Sequence, residues 1–341
     1  MRPLAVPAAA VAALAVLAAP AVLPVASAYA AQTPGSGAPA SFTIADPRIK
    51  ESSGLAASRI HPGVYWTHND SDDGPYVYAV DSATGRTVAR VTLTGIGRPR
   101  DVEAISLGPD GQLYVGDIGD NLNGAWDHVW IYRFPEPKTL GDATVKAEQF
   151  TVKYADGPRN AEALMVHPVT GRVYIASKSE DKGALYEGPE RLSADGTNVF
   201  RRVADGLPWV TDGAFSPDGG HLALRGYFFA KTYPWRDGLP VLAEAERVDA
   251  PWQGQAESLT YTADGSALMS GAEGESSRVI AIPVPGATPT ATPPGPGAKP
   301  AAPAQGSAAG DPATGSFTKG ALVLAAATAL TLAAKRLFRR R

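Results

Sequence analysis

The sequence predicts an all-β fold, and three observations lead to that prediction. Residues 41–285 consist of short runs rich in β-branched and aromatic residues, separated by Gly, Pro, Asn and Asp. The apolar residues of this region lack helical periodicity. A tight turn that ends in Gly recurs five times between two apolar runs, with Gly-to-Gly intervals of 48, 60, 48 and 46 residues. Repeats of that length are typical of β-propeller blades, each of which has four antiparallel strands.

Each interval between turns contains the strands that a blade requires. The turns are HPG at 61–63, PDG at 109–111, PVTG at 168–171, PDG at 217–219 and ADG at 263–265. The last interval lacks an outer strand, and we predict that Ser41–Ile44 supplies it and closes the ring, which removes exposed sheet edges. The prediction is five four-stranded blades; six is the alternative if the 60-residue interval contains an extra half-blade. A β-sandwich would not require five turns in matching context.

The two ends of the chain have the composition of export and tethering segments. Residues 1–30 carry one charge, Arg2, then an Ala/Val/Leu run and Ala28-Tyr29-Ala30, which is the pattern of a secretory signal peptide. Residues 286–318 are mainly Pro, Ala, Gly, Thr and Ser, so we predict an extended linker. Residues 319–341 contain an apolar run closed by Lys and Arg, which predicts a transmembrane anchor of marginal length with a cytoplasmic basic end.

A Gram-positive sorting signal is the alternative for the C-terminal segment. Residues 311–315, DPATG, match the LPxTG pattern at Pro, Thr and Gly, ahead of the apolar run and the Arg-rich tail. Both interpretations place the domain of residues 41–285 at the cell surface, and the anchor interpretation adds contact with the membrane.

Composition excludes several classes of function. The chain has no cysteine, which excludes disulfides, thiolate metal sites and a cysteine nucleophile. Its formal net charge is −3 and residues 41–285 contain no basic patch with interleaved aromatics, so no nucleic-acid partner is predicted. The G-x-S-x-G, P-loop, H-E-x-x-H and G-x-G-x-x-G motifs are also absent. The sequence therefore leaves open whether the protein is an enzyme.

The strand order predicts that one face of the ring carries the chemistry. In an antiparallel blade, the connection from the previous blade and the loop after the second strand lie on the same face. Glu103, Glu162 and Glu257 occupy equivalent positions before three inner strands, with Asp212 one place earlier in a fourth. The loops after the second strands include HNDSDD at 68–73 and DIGDN at 117–121. We therefore predict a cluster of carboxylates at this face.

Such a cluster is a candidate cation site, because Ca²⁺ binds six to eight oxygens from carboxylates, amides and backbone carbonyls. The candidate metal ligands are Asp70, Asp101, Glu103, Asp117, Asp120, Asn121, Glu162 and Glu257. The structural alternative is that these carboxylates bond the backbone of neighbouring blades or pair with Arg100 and Arg159. No cofactor other than Ca²⁺ is expected.

Four residues are candidates for catalysis. Glu103 or His68 would act as a base, and Arg225 and Lys178 would hold oxyanions. For His68 a satisfied, structural role is the alternative. Trp126, Trp209, Trp235 and Trp252 lie in or near loops, where such residues either stack on a flat ligand or fill gaps between blades.

Four motifs carry a resemblance to known proteins: SGL at 53–55, HNDSDD at 68–73, DVEAI at 101–105 and YVGDIGDN at 114–121. On these motifs, most of residues 50–285 resembles bacterial secreted β-propellers of the WD40-like or phytase-like, esterase-like kind. DVEAI is also similar to the D-x-E-G run of calcium-dependent β-propeller phytases, with Ala104 in place of the Gly. That similarity implies Asp101 and Glu103 as metal ligands.

Three functions follow as hypotheses. The first is a surface-displayed module that binds an unidentified extracellular ligand or envelope protein on its acidic face, with a bound Ca²⁺. The second is a metal-dependent hydrolase of phosphoesters or esters, in which the cation would neutralise the substrate and activate a water molecule. The third is a scaffold between envelope proteins.

Overall fold

The structure is a computed structural model that describes residues 39–71, 73–122, 124–180, 183–207 and 209–285 of the 341-residue chain. The predicted signal peptide, linker and C-terminal anchor lie outside these residues. Within the described ranges, no helix is long and apolar enough to cross a membrane. The helical structure assigned there is one 3₁₀ turn, Leu242–Glu244. The described part of the chain is therefore all-β, as predicted.

The described strands form five groups along the chain. They are β1 (Phe42–Thr43), β2 (Ser52–Ala57), β3 (Val64–Asn69), β4 (Tyr76–Asp81), β5 (Thr87–Thr94), β6 (Ala104–Leu107), β7 (Gln112–Asp117), β8 (Val129–Pro135), β9 (Ala143–Lys146), β10 (Glu148–Tyr154), β11 (Ala161–Val166), β12 (Val173–Ser177), β13 (Gly183–Glu187), β14 (Thr197–Leu207), β15 (Asp212–Phe215), β16 (His221–Gly226), β17 (Phe229–Arg236), β18 (Leu239–Pro240), β19 (Glu246–Arg247), β20 (Ser258–Tyr261), β21 (Ala267–Gly271) and β22 (Arg278–Pro283). Group 1 is β2–β5, group 2 is β6–β8 with β10, group 3 is β11–β14, group 4 is β15–β19, and group 5 is β20–β22 with β1.

The tight turns that define the repeat all contain a glycine in the left-handed region. The φ angles are 78° at Gly63, 70° at Gly111, 69° at Gly171, 75° at Gly219 and 75° at Gly265. A side chain with a Cβ would be strained in that conformation. Each of these glycines lies between the first and second strands of its group, so the predicted equivalence of the five turns is confirmed.

The groups are arranged around a common axis. The innermost strands β2, β6, β11, β15 and β20 contact one another in that order, and β20 returns to β2. The apolar core lies between consecutive groups: Trp66 and Ile105 belong to the cluster between groups 1 and 2, and Leu55 and Met269 to the one between groups 1 and 5. Sheets that radiate from an axis and pack face to face form a β-propeller, as predicted.

The two ends of the described region pair with each other. Phe42 of β1 is opposite Val279 of β22, and the amide of Ala281 donates to Ser41 Oγ at 3.0 Å. Ile44, just after β1, is fully buried. The segment predicted to complete the last group therefore does so.

Two parallel pairings join neighbouring groups at their outer edges. β9 pairs with β5, with Ala143 opposite Val91, and β14 pairs with β10, with Thr197 opposite Thr151. β9 lies within the long 60-residue interval and extends the sheet of group 1. The sequence did not predict β9, because its four positions are exposed or half-buried and show no apolar alternation.

Candidate cation site at the mouth of the ring

The inner strands begin, and the second strands end, on one face of the ring, which we call the mouth. In group 2, the Glu103 amide donates to the Gly116 carbonyl at 2.8 Å and the Gly119 amide donates to the Asp101 carbonyl at 3.1 Å. These bonds hold the segment before β6 against the loop after β7. The antiparallel strand order thus brings together two stretches that are separated by a hairpin, as the sequence predicted.

Three carboxylates converge at the mouth from two different groups. Asp70, Asp101 and Glu103 each place an oxygen within 4.8 Å of the others. The Val102 amide donates to the Asp70 carbonyl at 3.0 Å, which fixes the loop after β3 beside the segment before β6. A Cβ at Gly119 would lie 2.7 Å from both Asp101 Cγ and Glu103 Oε1, so a glycine is required beside the carboxylates. We refer to Asp70, Asp101 and Glu103 as the acidic triad.

Two residues of the acidic triad are buried, and the third, Asp70, is half-buried. Asp101 and Glu103 are 3% and 2% exposed. Burial, together with the Asp101 carboxyl, raises the pKa of Asp70, and burial together with Asp70 and Glu162 raises the pKa of Glu103. Asp70 Oδ1 and Asp101 Oδ1 have no hydrogen-bond partner among the described residues. Buried oxygens without donors are costly, and a hard cation would satisfy them, so the donor set fits Ca²⁺.

Asp120, Asn121 and Asn160 form a second layer beside the triad. Asn121 Nδ2 donates to Asp101 Oδ2 at 3.0 Å, and Asn160 Oδ1 accepts the Asp120 amide at 2.8 Å. Asp120 Oδ2 accepts the Trp126 amide at 2.7 Å, while Asp120 Oδ1 has no described partner. Asn121 therefore orients Asp101, and Asp120 retains one free carboxylate oxygen.

Asp117 is held by backbone donors. Its Oδ1 accepts the Asp101 amide and its Oδ2 accepts the Arg100 amide, both at 3.0 Å, and the Tyr132 hydroxyl donates to Oδ2 at 2.5 Å. With three donors on two oxygens, Asp117 positions the backbone that carries Asp101. It does not belong to the converging set of carboxylates.

The remaining glutamates of the inner strands lie in a hydrogen-bonded chain. Lys178 bonds Glu162 and also donates to the Tyr227 hydroxyl at 2.8 Å, and that hydroxyl donates to Glu257 Oε1 at 2.6 Å. Burial opposes the charge of Lys178, but Glu162 and the other acids nearby raise its pKa, so it stays protonated. Ser53 Oγ lies 3.1 Å from Glu103 Oε2 and 3.4 Å from Glu257 Oε2, which connects this chain to the acidic triad.

Asp212 and Arg225 are internal. Asp212 accepts the amides of Gly213 at 2.7 Å and Leu259 at 2.6 Å, so it fastens β15 to β20. Arg225 is 2% exposed and donates to Gln253 Oε1 at 3.1 Å, and burial lowers its pKa to about 10. For Asp212, these contacts agree with the structural alternative, in which an inner-strand carboxylate bonds the backbone of a neighbouring blade.

His68 is buried beside the triad's supporting loop. It is 1% exposed, its Nδ1 lies 3.1 Å from the Asn69 carbonyl oxygen, and its Nε2 has no described partner. Burial lowers its pKa to about 4, so the ring is neutral near pH 7. A Cβ at Gly54 would lie 2.8 Å from Nε2, which shows how closely β2 packs on this ring.

Sequence reasoning missed two residues that connect the site. Gly119 lies within the quoted loop motif, and its lack of a side chain beside a carboxylate pair was the available signal. Tyr227 carried no signal, because a single tyrosine directly after a strand does not indicate which residues of other groups it contacts. Its contact with Lys178 and Glu257 arises only when groups 3, 4 and 5 come together.

Comparisons with known proteins add little to this geometry. No family model matches the sequence, and no curated protein matches it. Among solved structures, RRP9 WD40 repeats align with a TM-score of 0.41 at 11% identity, covering 72% of this chain and 99% of that one. Kuenenia stuttgartiensis hydrazine synthase aligns with a TM-score of 0.36 at 13% identity, covering 65% of this chain and 61% of that one. This chain thus spans about three fifths of the hydrazine synthase chain. Similarity at these levels carries no argument, so the fold rests on the strand order and packing above.

Proposed function

We propose that this protein is a five-bladed β-propeller that binds Ca²⁺ at the acidic triad and uses the mouth to bind an extracellular ligand or partner. The observation that carries the proposal is the convergence of Asp70, Asp101 and Glu103 oxygens within 4.8 Å of one another. Asp70 Oδ1 and Asp101 Oδ1 lack any described hydrogen-bond donor. Carboxylates that share a site and stay ionised repel one another unless a cation lies between them.

The proposed blade count follows from how the 60-residue interval is used. The extra strand in that interval, β9, pairs with β5 at the outer edge of group 1 and adds no inner strand. Five innermost strands contact one another in cyclic order within the described ranges. This supports five blades over the six-blade alternative.

The cation site is tested by removing and restoring the ion. The full chain is treated with a chelator, and thermal unfolding is followed as Ca²⁺ is added back. A ligand that binds only the folded state stabilises it by about 2.7 kcal/mol at 100 times its Kd, so the Tm should rise with Ca²⁺ concentration. Asp101→Asn and Glu103→Gln should each abolish most of that rise.

A matched control uses an exposed carboxylate. The Glu190 side chain is 90% exposed, and Glu190→Gln should leave the Ca²⁺ response unchanged. If chelation and Ca²⁺ both leave the Tm of the wild-type chain unchanged, the cation site is wrong. If Mg²⁺ alone produces the rise, the choice of ion is wrong.

Binding is favoured over the alternative of a metal-dependent hydrolase. The cations proposed to hold oxyanions are engaged: Lys178 with Glu162 and Tyr227, and Arg225 with Gln253. His68 is neutral but 1% exposed, which leaves little access for a substrate. The hydrolase alternative predicts turnover of aryl phosphates or aryl esters by the Ca²⁺-loaded chain, and the loss of that turnover in Glu103→Gln.

We also propose that the protein is exported and displayed at the cell surface, with an envelope protein or extracellular molecule as its partner. The support is the signal-peptide pattern of residues 1–30 and the apolar run with a basic tail at 319–341. Protease treatment of intact cells should degrade the domain. Release by detergent would indicate the membrane anchor, and release only by wall-digesting enzymes would indicate sortase linkage.

A further inference from the structure

A hairpin at the mouth has an aromatic tip. β16 and β17 are joined by a two-residue turn, Tyr227-Phe228. Loops of this length usually contain Gly, Asn or Asp, and the turn between β17 and β18 does so, with the sequence Asp237-Gly238. Phe228 is 77% exposed, so it adds little to the core. Neither the turn nor the core accounts for an aromatic residue at this tip.

The tip belongs to a group of aromatic side chains around Tyr227. Trp209, before β15, packs edge-on against Tyr227 with 5.6 Å between the ring centroids, and the Phe228 centroid lies 6.4 Å from that of Tyr227. Trp252 is 56% exposed, and the next residue, Gln253, bonds the end of β16 at 3.1 Å, which brings this segment to the same hairpin. We refer to Trp209, Tyr227, Phe228 and Trp252 as the aromatic shelf.

The aromatic shelf adjoins the acidic residues of the mouth. The Tyr227 hydroxyl donates to Glu257 Oε1 at 2.6 Å and accepts a hydrogen bond from Lys178 at 2.8 Å. Glu180, two residues after Lys178, is exposed at the surface. An accessible carboxylate therefore lies in the loop that contacts Tyr227.

The mouth stays negative when a divalent cation is bound. Five of its carboxylates interact electrostatically, those of Asp70, Asp101, Glu103, Glu162 and Glu257. When ionised, they outweigh the charges of Lys178 and one Ca²⁺. A concave site lined by one sign of charge attracts the opposite sign, and exposed aromatic faces attract ammonium and guanidinium groups. This surface is therefore complementary to a cationic group beside apolar ones.

The chain itself leaves the domain on the other face. β22 runs away from the mouth, and the Val284 amide donates to the Ser266 carbonyl at 3.0 Å, beside the glycine turn of residues 263–265. Ser41, at the other end of the described region, bonds Ala281 near the same end of β22. Neither end of the domain therefore begins at the aromatic shelf.

We propose that the aromatic shelf binds an extended segment of a partner protein in which a Lys or Arg lies next to apolar side chains. The apolar side chains contact Phe228 and Trp252, and the cationic group faces Glu180 and the carboxylates of the mouth. The contacting side chains of the shelf are exposed, so the folded chain need not rearrange to reach the partner. This inference rests on the proposed function, since it names the chemistry of the partner that the mouth binds.

The test is a titration of the full chain with three fluorescently labelled peptides, followed by fluorescence anisotropy. One peptide has Leu-Arg-Leu at the centre of a Gly/Ser sequence, and two control peptides have Leu-Glu-Leu or Ser-Arg-Ser there. We expect the Leu-Arg-Leu peptide to bind with a Kd on the order of 0.1 mM, and the controls to bind about tenfold more weakly or worse. Raising the salt concentration from about 50 to about 500 mM should weaken the binding severalfold, because salt screens exposed charges.

Variants locate the binding on the shelf. Phe228→Ser should weaken it about tenfold, because a large apolar contact is lost. Glu180→Gln should weaken it about two- to threefold, as expected for one exposed charge. Val169→Ser is the matched control, because Val169 is 70% exposed but lies in the glycine turn on the opposite face, so this variant should bind as the wild type does. Thermal unfolding confirms that each variant is folded.

The titration is repeated with Ca²⁺ and with chelator, which separates this inference from the cation site. A Tm that responds to Ca²⁺ without any peptide binding would refute the inference and leave the cation site intact, and peptide binding without a Ca²⁺ response would do the reverse. Equal binding of the Leu-Glu-Leu peptide, or unchanged binding in folded Phe228→Ser, would also overturn it. If the peptides fail while anionic lipid vesicles bind, or while the chain self-associates through Phe228, the partner is a membrane or a second copy instead.

Discussion

Asp101 and Asp117 are joined by one hydrogen bond, yet the structure gives them different roles. Asp117 accepts the Asp101 amide and has no unused oxygen, whereas Asp101 Oδ1 has no described donor. Sequence reasoning treated both as metal ligands, because both are carboxylates at the mouth. What separates them is the direction of neighbouring N–H groups, which depends on the folded backbone.

Asp117→Asn should therefore destabilise the protein without removing the cation site. An amide nitrogen would face the Arg100 amide or the Asp101 amide, so one buried donor loses its acceptor, at a cost of about 1–3 kcal/mol. Urea unfolding should show this loss, and the Ca²⁺-dependent rise in Tm should persist. The opposite pattern, full stability with no response to Ca²⁺, would make Asp117 a ligand after all.

His68 should make stability depend on pH with a known sign. Its pKa is about 4 in the folded chain and about 6.5 when unfolded. Between about pH 6.5 and pH 4 the unfolded state binds a proton at His68 that the folded state does not bind. The contribution of His68 to the free energy of unfolding therefore falls over this range, by up to about 3 kcal/mol. The raised pKa values of Asp70 and Glu103 increase stability as the pH falls. The effect of His68 must therefore be measured as the difference between the wild type and a His68 variant.

The measurement is urea unfolding of the wild type and of His68→Gln, in chelator, at several pH values between 7 and about 4. As the pH falls, the free energy of unfolding of the wild type should decrease relative to that of His68→Gln. Parallel curves would mean that the histidine titrates alike in the folded and unfolded states.

Among the elements, the inner strands and the hairpin turns were the most predictable. Most residues of the inner strands are buried, as in β11, where all six are, and a left-handed glycine marks each turn. β9, β18 and β19 were not predicted. They have two to four residues, most of them exposed, and β9 pairs with β5, a contact that the local sequence does not record.

β1 is a two-residue strand that pairs with β22 where the ring closes. It completes group 5, and Ile44 beside it is fully buried in the cluster between groups 1 and 5. Ile44→Ala should cost about 2–5 kcal/mol in the free energy of unfolding, measured in urea. Val199 is 46% exposed, and Val199→Ala should cost less than about 0.5 kcal/mol. A cost below about 1 kcal/mol at Ile44 would mean that the ring does not depend on this closure.

On the scale of the whole molecule, one chain of polar contacts passes through every group. It runs from Glu162 and Lys178 in group 3 through Tyr227 and Glu257 to Ser53 in group 1, and from there to Glu103 in group 2. The sequence predicted that acidic residues would share this face. It did not predict their connection, because the linking hydroxyls come from residues whose neighbours are far away in the chain.

Tyr227→Phe should interrupt that chain of contacts and lower the free energy of unfolding. Lys178 and Glu257 each lose a partner, which should cost about 1–3 kcal/mol. Because Ser53 bonds the same Glu257, the effects of Tyr227→Phe and Ser53→Ala should not add, with a coupling of about 0.5 kcal/mol or more in a double-mutant cycle. Tyr76→Phe serves as the control. Strict additivity would show that the contacts are energetically independent.

The pairing of β1 with β22 also means that the ring has no built-in starting point. Ser41 and Ala281 are hydrogen-bonded to each other, so a short peptide that leads from residue 285 to residue 39 would join the two ends. Opening the chain instead at one of the glycine turns on the face opposite the mouth would leave the same set of strand neighbours. The fold therefore does not require that one particular blade comes first in the chain, and circular permutants of this domain should reach the same fold.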